Sequence, residues 1–132
     1  MEFDFENPPT GPLKCKYKGL DTFCGPMGMK SSSDRLYRNK GNNTFADLSD
    51  KTSVSNFFLP ALGVVLSDVD NDADLDIYVA NDSERNLFFE NMGNWNFKEN
   101  AVKIGLAYSE EGRAQAGMGV DAADFDDDGD ID

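Results

Sequence analysis

The apolar residues of the chain fall in short runs separated by glycine, asparagine and aspartate, a pattern typical of β-sheet proteins. Residues 64–66 and 77–80 are rich in β-branched residues and flank an acidic segment. Both runs show little polar alternation, which predicts strands that pack on both faces. No stretch keeps a convincing 3.6-residue apolar period, so we expect only short helical turns, near residues 47–52 and 98–106.

The sequence contains an internal repeat. The segment GVVLSDVDNDADLD at 63–76 aligns with GVDAADFDDDGDID at 119–132, an offset of 56. An offset of 52 aligns LYRNKGNNTF at 36–45 with FFENMGNWNF at 88–97, and it keeps Asn39 in step with Asn91. Each repeat therefore contains a strand, an acidic turn, a second strand and a hairpin. Four short strands per repeat fit a β-propeller blade, so we expect an all-β propeller fragment of about two blades, with an acidic loop between the first two strands of each.

Composition and charge narrow the possible partners. The 132 residues are 39% hydrophobic and 11% aromatic, as in an ordinary globular domain. The formal charge of −13 argues against nucleic acid and anionic membranes as partners, since both require basic surface. The longest apolar run, at 57–66, is too short to span a membrane, and residues 1–12 do not have the regions of a secretory signal. The absence of histidine excludes imidazole-based catalysis and metal sites.

Eleven of the 25 acidic residues lie in two nine-residue loops. Aspartates occupy alternate positions: Asp68, Asp70, Asp72, Asp74 and Asp76 in the first loop, and Asp124, Asp126, Asp128, Asp130 and Asp132 in the second, where Asp127 is added. Carboxylates this close repel one another unless a cation neutralises them, and oxygen ligands at flexible spacing favour Ca²⁺ over Mg²⁺. The alternative is a solvated acidic turn. An EF-hand is excluded, because its twelfth position requires glutamate and here holds Val79.

The motif D-x-D-x-D-(G)-x-x-D resembles the calcium loop of the FG-GAP/VCBS repeat family, the β-propeller repeats also seen in integrin α-subunit heads. The resemblance implies that side chains at positions one, three, five and nine bind Ca²⁺, and that Asp74 and Asp130 contribute backbone carbonyls. Ala73 replaces the usual glycine at position six, whereas the second loop keeps Gly129. If position six needs a positive φ, Ala73 costs about 1 kcal/mol. The chain stops at Asp132, so we expect the strand after the second loop to be missing.

A closer resemblance is to bacterial relatives of cartilage acidic protein. It rests on the joint occurrence of the patterns CxYxG…CGPxG, LYRNxGxxTF and GVxxxDxDNDxDLDxYVAN, which here lie at 15–28, 36–45 and 63–81. Members of this group are typically exported or located at the cell surface. The resemblance therefore implies an extracellular, periplasmic or cell-surface location.

The cysteines and the aromatic residues each have two interpretations. Cys15 and Cys24 are the only cysteines, and a disulfide between them would stabilise the chain by roughly 2–3 kcal/mol and indicate an oxidising compartment. Two free buried thiols are the alternative. The aromatic side chains suit the space between packed sheets better than a sugar-stacking platform. These side chains are Phe45, Tyr78, Phe88, Phe89, Trp95 and Phe97.

These observations define an expected function. We expect residues 1–35 to form an N-terminal segment around the cysteines, and residues 36–132 to form the repeats of a calcium-binding, non-catalytic module for extracellular recognition or adhesion. Its expected partner is a protein or glycan, without nucleic acid or membrane insertion. Further blades of a parent protein, or self-association, would cover open sheet edges. The alternative is a calcium-dependent hydrolase propeller, which requires unsaturated metals and cationic groups such as Arg85 or Arg113 near the loops.

Overall fold

Glycine and asparagine turns divide the chain into short antiparallel strands. The structure, a computed structural model, describes residues 14–23 and 30–132. Two separate hairpins come first: β1 (Lys14–Tyr17) with β2 (Leu20–Phe23), and β3 (Tyr37–Gly41) with β4 (Thr44–Asp47). In the second hairpin, Asn42 and Asn43 have φ angles of 53° and 58°, the left-handed backbone that a two-residue type I′ turn requires. The predicted turn between these strands is therefore confirmed.

The central feature is an antiparallel sheet in which four consecutive strands form one repeat. They are β5 (Ala61–Ser67), β6 (Asp76–Glu84), β7 (Leu87–Asn91) and β8 (Phe97–Glu99), in that spatial order. The first acidic loop joins β5 to β6, and Ser67 pairs with Asp76 at its base. A two-residue strand, β9 (Gln115–Ala116), pairs with the end of β6. The predicted all-β class, and the order of strand, acidic loop, strand and hairpin, are confirmed.

The strands of this sheet differ in burial. β6 lies inside the sheet and is largely buried on both faces, as its lack of polar alternation predicts. β5 instead alternates between half-buried and exposed residues, because the described chain leaves the face with Leu62, Val64 and Leu66 largely uncovered, and Val64 is 59% exposed. The main core consists of Val54, Ile77, Val79, Leu87, Phe89 and Phe97, and a second cluster contains Phe88, Ala101 and Ala107. Core packing is thus confirmed for the phenylalanines at 88, 89 and 97.

Short helical turns occupy both predicted segments, 47–52 and 98–106, and one further turn lies just beyond the first segment. Two 3₁₀ turns, Ser49–Lys51 and Ser53–Asn56, follow the second hairpin, and α1 (Ala101–Ile104) follows β8. The Ser53 hydroxyl donates to the Phe97 carbonyl (2.6 Å), so these turns link the hairpin to the sheet. Within the described ranges, no helix is both long enough and apolar enough to cross a membrane.

Residues 117–123, which lead into the second acidic loop, lie against the first repeat. The amide of Gly117 donates to the Asn81 carbonyl on β6 (3.1 Å), and Val120 lies beside Gly63 on β5. A cleft of ≈ 360 Å³ between the repeats is lined by residues that include Val65, Tyr78, Phe88, Val120 and Ala122. The repeat predicts a strand at 117–123, but the structure assigns none. A strand needs a hydrogen-bonded neighbour, and the described chain supplies only isolated backbone bonds along this segment.

Candidate metal centres

The first acidic loop brings together its carboxylates at positions one, three and five. Oxygen atoms of Asp68, Asp70 and Asp72 all lie within 4.8 Å of one another. The loop closes on its own first residue, because the Asp68 carboxylate accepts hydrogen bonds from the backbone amides of Asp72 (3.0 Å) and Ala73 (3.0 Å). The Asp72 carboxylate in turn accepts from the amide of Asp74 (2.9 Å). Three of the four side chains predicted to bind the ion therefore lie together.

Two left-handed residues turn the loop backbone. Asn71 has a φ of 60° and Ala73 a φ of 70°. Asparagine tolerates this conformation, whereas alanine at this angle is strained by about 1–2 kcal/mol. The sequence predicted a cost at Ala73 only if position six has a positive φ, and the structure shows that it does. Alanine is therefore strained at this position, where a glycine would not be.

Asp76, the position-nine residue, lies outside this three-carboxylate group, and its role as a ligand stays a prediction. It is the first residue of β6, its exposed fraction is 1%, and its two carboxylate oxygens accept from the amides of Val69 (3.1 Å) and Asn91 (2.8 Å). The Asn91 side chain donates to the Leu75 carbonyl (3.1 Å). Asp76 and Asn91 together therefore fasten the loop to β7.

Asn91 is a residue whose role the sequence interpretation missed. The signal was present in the repeat alignment, where Asn39 and Asn91 stay in step. Both side chains accept from the amide two residues later, Asn39 from Gly41 (2.8 Å) and Asn91 from Gly93 (3.1 Å). The alignment thus identified a shared turn, but only the structure shows that Asn91 also contacts the acidic loop.

The second acidic loop repeats the geometry of the first. Oxygen atoms of Asp124, Asp126 and Asp128 lie within 4.8 Å of one another. The Asp124 carboxylate accepts from the amides of Asp128 (3.1 Å) and Gly129 (3.0 Å), and Asp128 accepts from the amide of Asp130 (3.0 Å). The φ angles of 60° at Asp127 and 96° at Gly129 match those of the first loop in sign and place. Asp132 accepts from the amide of Phe125 (2.8 Å) and, like Asp74 and Asp130, lies outside the three-carboxylate group.

The chemistry of these two groups fits a hard cation. Desolvation, together with the neighbouring carboxylates, of which Asp72 contributes most, raises the pKa of Asp70 above its ordinary value. All candidate ligands are oxygen atoms, and they lie on a loop rather than in a rigid cage, which suits the flexible coordination of Ca²⁺. The side chains at positions one, three and five would hold the cation, which would supply the positive charge that the loop lacks.

The two loops touch each other. The side-chain amide of Asn71 in the first loop donates to Asp130 Oδ1 in the second at 2.7 Å. The contact joins residues 59 positions apart in the sequence. The acidic loops of successive repeats therefore lie side by side at one end of the sheet.

Other predicted features have mixed outcomes. Phe45 and Trp95 are 63% and 41% exposed, so the prediction that these two side chains pack in the core is wrong. The hairpin of β3 and β4 leaves the Phe45 face uncovered, and Trp95 lies in a turn with the Arg38 guanidinium 5.2 Å above its ring. Cys24, together with residues 1–13 and the rest of 24–29, lies outside the described residues, so the Cys15–Cys24 pairing stays a prediction.

Comparison with known families agrees with this architecture. The FG-GAP-like repeat matches the chain twice, over residues 20–79 and 68–132, and both matches include the first acidic loop. Neither the curated proteins nor the solved structures contain a significant match. The nearly all-β fold with antiparallel sheets is that expected of a β-propeller segment built from such repeats. Because the two matches cover most of its length, the chain belongs to the FG-GAP-like repeat family.

Proposed function

We propose that this β-propeller module binds one Ca²⁺ in each acidic loop and that the ions stabilise the blades rather than catalyse a reaction. The observation that carries the proposal is the shared geometry of the two loops: each holds three carboxylates within 4.8 Å and closes on its first aspartate through two backbone amides. Two ions would contribute +4, changing the formal charge of −13 to −9.

The position of the first loop supports the proposal that the metal has a structural role. The loop joins β5 to β6, and Asp76 connects its end to the Asn91 amide on β7. A cation held by Asp68, Asp70 and Asp72 would remove the repulsion that opposes closing the loop. Its binding energy would then contribute to folding, since the carboxylates are not held together in the unfolded chain.

The placement of Arg85, one of the two cations named for the hydrolase alternative, counts against that alternative. Arg85, the first cation after loop one in sequence, pairs with Glu99 at 3.2 Å and stacks 5.2 Å above the Phe57 ring. Its guanidinium is therefore already engaged by Glu99 and Phe57, which counts against Arg85 as a substrate-binding cation at the loops. The ligand we propose is a protein or glycan outside the cell, bound for recognition or adhesion. We also propose the Cys15–Cys24 disulfide and kinship with bacterial relatives of cartilage acidic protein.

The test is a calorimetric Ca²⁺ titration of the chelator-stripped chain and two matched variants. Asp70→Ala and Asp126→Ala each remove one position-three carboxylate, and they leave intact Asp68 and Asp124, which accept the amides that close the two loops. Two ions are expected to bind the wild-type chain and one to bind each variant, with melting temperatures that rise on Ca²⁺ addition and barely rise with Mg²⁺. Asp50→Asn, an exposed aspartate outside both loops, controls for the lost charge.

A contrary result would be a wild-type chain that is folded without Ca²⁺ and gives no binding heat. The acidic loops would then be solvated turns. Equal weakening by Asp50→Asn would show a diffuse charge effect rather than two sites.

A further inference from the structure

The contact between Asn71 and Asp130 joins the two loops at positions that are not expected to bind metal through their side chains. Asn71 is position four of the first loop, and Asp130 is position seven of the second. The bond is short, at 2.7 Å, and its acceptor is a carboxylate, which makes it a charge-assisted hydrogen bond. It therefore connects the two candidate metal centres without using a side chain that is expected to bind either ion.

Each end of this contact is built into its own loop. Asn71 lies between Asp70 and Asp72 and has a φ of 60°, so closing the first loop on a cation fixes the backbone that carries the amide. The amide of Asp130 donates to Asp128 Oδ1 at 3.0 Å. Fixing Asp130 from outside therefore restricts the second loop next to its position-five carboxylate.

Only the first loop can donate this hydrogen bond, because the two loops differ at position four. The offset of 56 places Asp127 where the first loop has Asn71, and Asp74 where the second loop has Asp130. A carboxylate at 127 has no hydrogen to donate, so only the first loop carries a donor at position four. Asn71 is thus a specific feature of this chain and not a requirement for loop closure, which Asp127 permits with the same φ of 60°.

We propose that Asn71 is a positioning residue for the second loop, so that Ca²⁺ in the first loop raises the affinity of the second. This inference rests on the proposed function. The first ion orders Asn71, the amide holds Asp130, and the second ion then binds a loop that has already lost part of its conformational freedom. By linkage, the second ion raises the affinity of the first by the same factor.

Electrostatic repulsion between the two bound ions would by itself lower the Ca²⁺ affinity of the second loop. Each bound cation makes the neighbouring loop less negative and so weakens the attraction for a second cation, an effect that salt screens over about 10 Å at 0.1 M. Positive coupling between the sites would therefore identify the hydrogen-bonded contact as its source. Loss of the contact is expected to leave the sites independent or weakly opposed.

The experiment measures the coupling factor, which is the product of the two stepwise Ca²⁺ association constants of the full chain divided by the product of its single-site constants. Asp126→Ala, which removes a ligand of the second loop, reports the first loop alone, and Asp70→Ala reports the second. The full-chain titration and both single-site titrations are repeated in chains that carry Asn71→Gly. This substitution removes the side-chain amide, and glycine adopts the left-handed backbone readily. We expect a factor of about three to ten in the wild-type background and about one with Asn71→Gly.

Changes at Asp130 provide the matched controls. Asp130→Ala removes the acceptor and is expected to abolish the coupling, whereas Asp130→Asn keeps an acceptor oxygen and is expected to retain part of it. A general loosening of the first loop would lower its own association constant and leave the factor unchanged.

The outcomes separate the two proposals. A factor of one in the wild-type chain, or a factor that survives Asn71→Gly, overturns this inference while two Ca²⁺ sites remain. No Ca²⁺ binding by either loop overturns the proposed function, and the inference falls with it.

Discussion

The two acidic loops follow the same path but are fastened to the molecule differently. Asp68 and Asp124 accept equivalent pairs of backbone amides, and the left-handed residues fall at the same two positions. Asp76, however, is 1% exposed and accepts from β7, whereas Asp132 is exposed and, among the described residues, accepts only from Phe125 within its own loop. Loop closure is thus encoded within nine residues, while loop anchoring depends on a neighbouring strand.

The largest expected difference between the loops is at position nine. Asp76→Ala leaves the amides of Val69 and Asn91 without their acceptor, and we expect it to lower the free energy of unfolding by about 2–3 kcal/mol. Asp132→Ala removes an exposed side chain, and we expect it to change the free energy of unfolding by less than about 0.5 kcal/mol. Urea denaturation of both variants in chelator, monitored by circular dichroism, checks this.

Equal losses for these two variants would show that position nine anchors both loops alike. If Asp76→Ala does not fold, Asp76→Asn keeps one acceptor oxygen. It is then expected to fall between the wild-type chain and complete loss.

A smaller difference is expected at the glycines that precede the loops. A Cβ at Gly63 would lie 3.2 Å from Val120 Cγ1 and 3.6 Å from Ala80 Cβ, whereas one at its counterpart Gly119 would meet nothing within 4 Å. Gly63→Ala is therefore expected to destabilise the chain by about 1 kcal/mol, since it forces the second repeat away from the first. Gly119→Ala is expected to be neutral or stabilising by a few tenths of a kcal/mol.

Thermal unfolding of the two glycine variants in chelator makes this comparison. Indistinguishable melting temperatures would mean that Val120 shifts freely and that the repeats are not closely packed at Gly63.

The smallest expected difference is at position six. Ala73→Gly relieves a φ of 70°, and Gly129→Ala imposes an alanine on a φ of 96° where its Cβ has open space. We expect Ala73→Gly to make closure of the first loop more favourable by about 0.5–1 kcal/mol, and Gly129→Ala to make closure of the second less favourable by a similar amount. These values include the greater freedom of glycine in the unfolded chain. Ca²⁺ affinity should then rise about two- to fivefold in the first loop and fall by a similar factor in the second.

Single-site titrations, in the Asp126→Ala background for the first loop and in the Asp70→Ala background for the second, measure these affinities. Changes of the same sign in both loops would contradict the strain argument.

The sequence predicted those features that depend on local pattern. The strands around the first loop, the hairpins, the short helical turns and the converging carboxylates all follow from turn residues, β-branched runs and the repeat. It did not predict the pairing of β9 with β6 or the contact from Asn71 to Asp130, because both depend on how one repeat lies on the next. Burial of Phe45 and Trp95 was expected from residue type alone, although burial requires a second surface that neither residue has here.

The side-by-side position of the loops has a consequence for the ions in the surrounding medium. Eleven of the 25 acidic residues are concentrated at one end of the molecule, so this end attracts monovalent cations that Ca²⁺, if it binds as proposed, would have to displace. The displacement becomes harder as ionic strength rises and screening shortens the reach of the acidic field. The same chain would therefore be loaded with Ca²⁺ at a lower free concentration in a dilute medium than in a saline one.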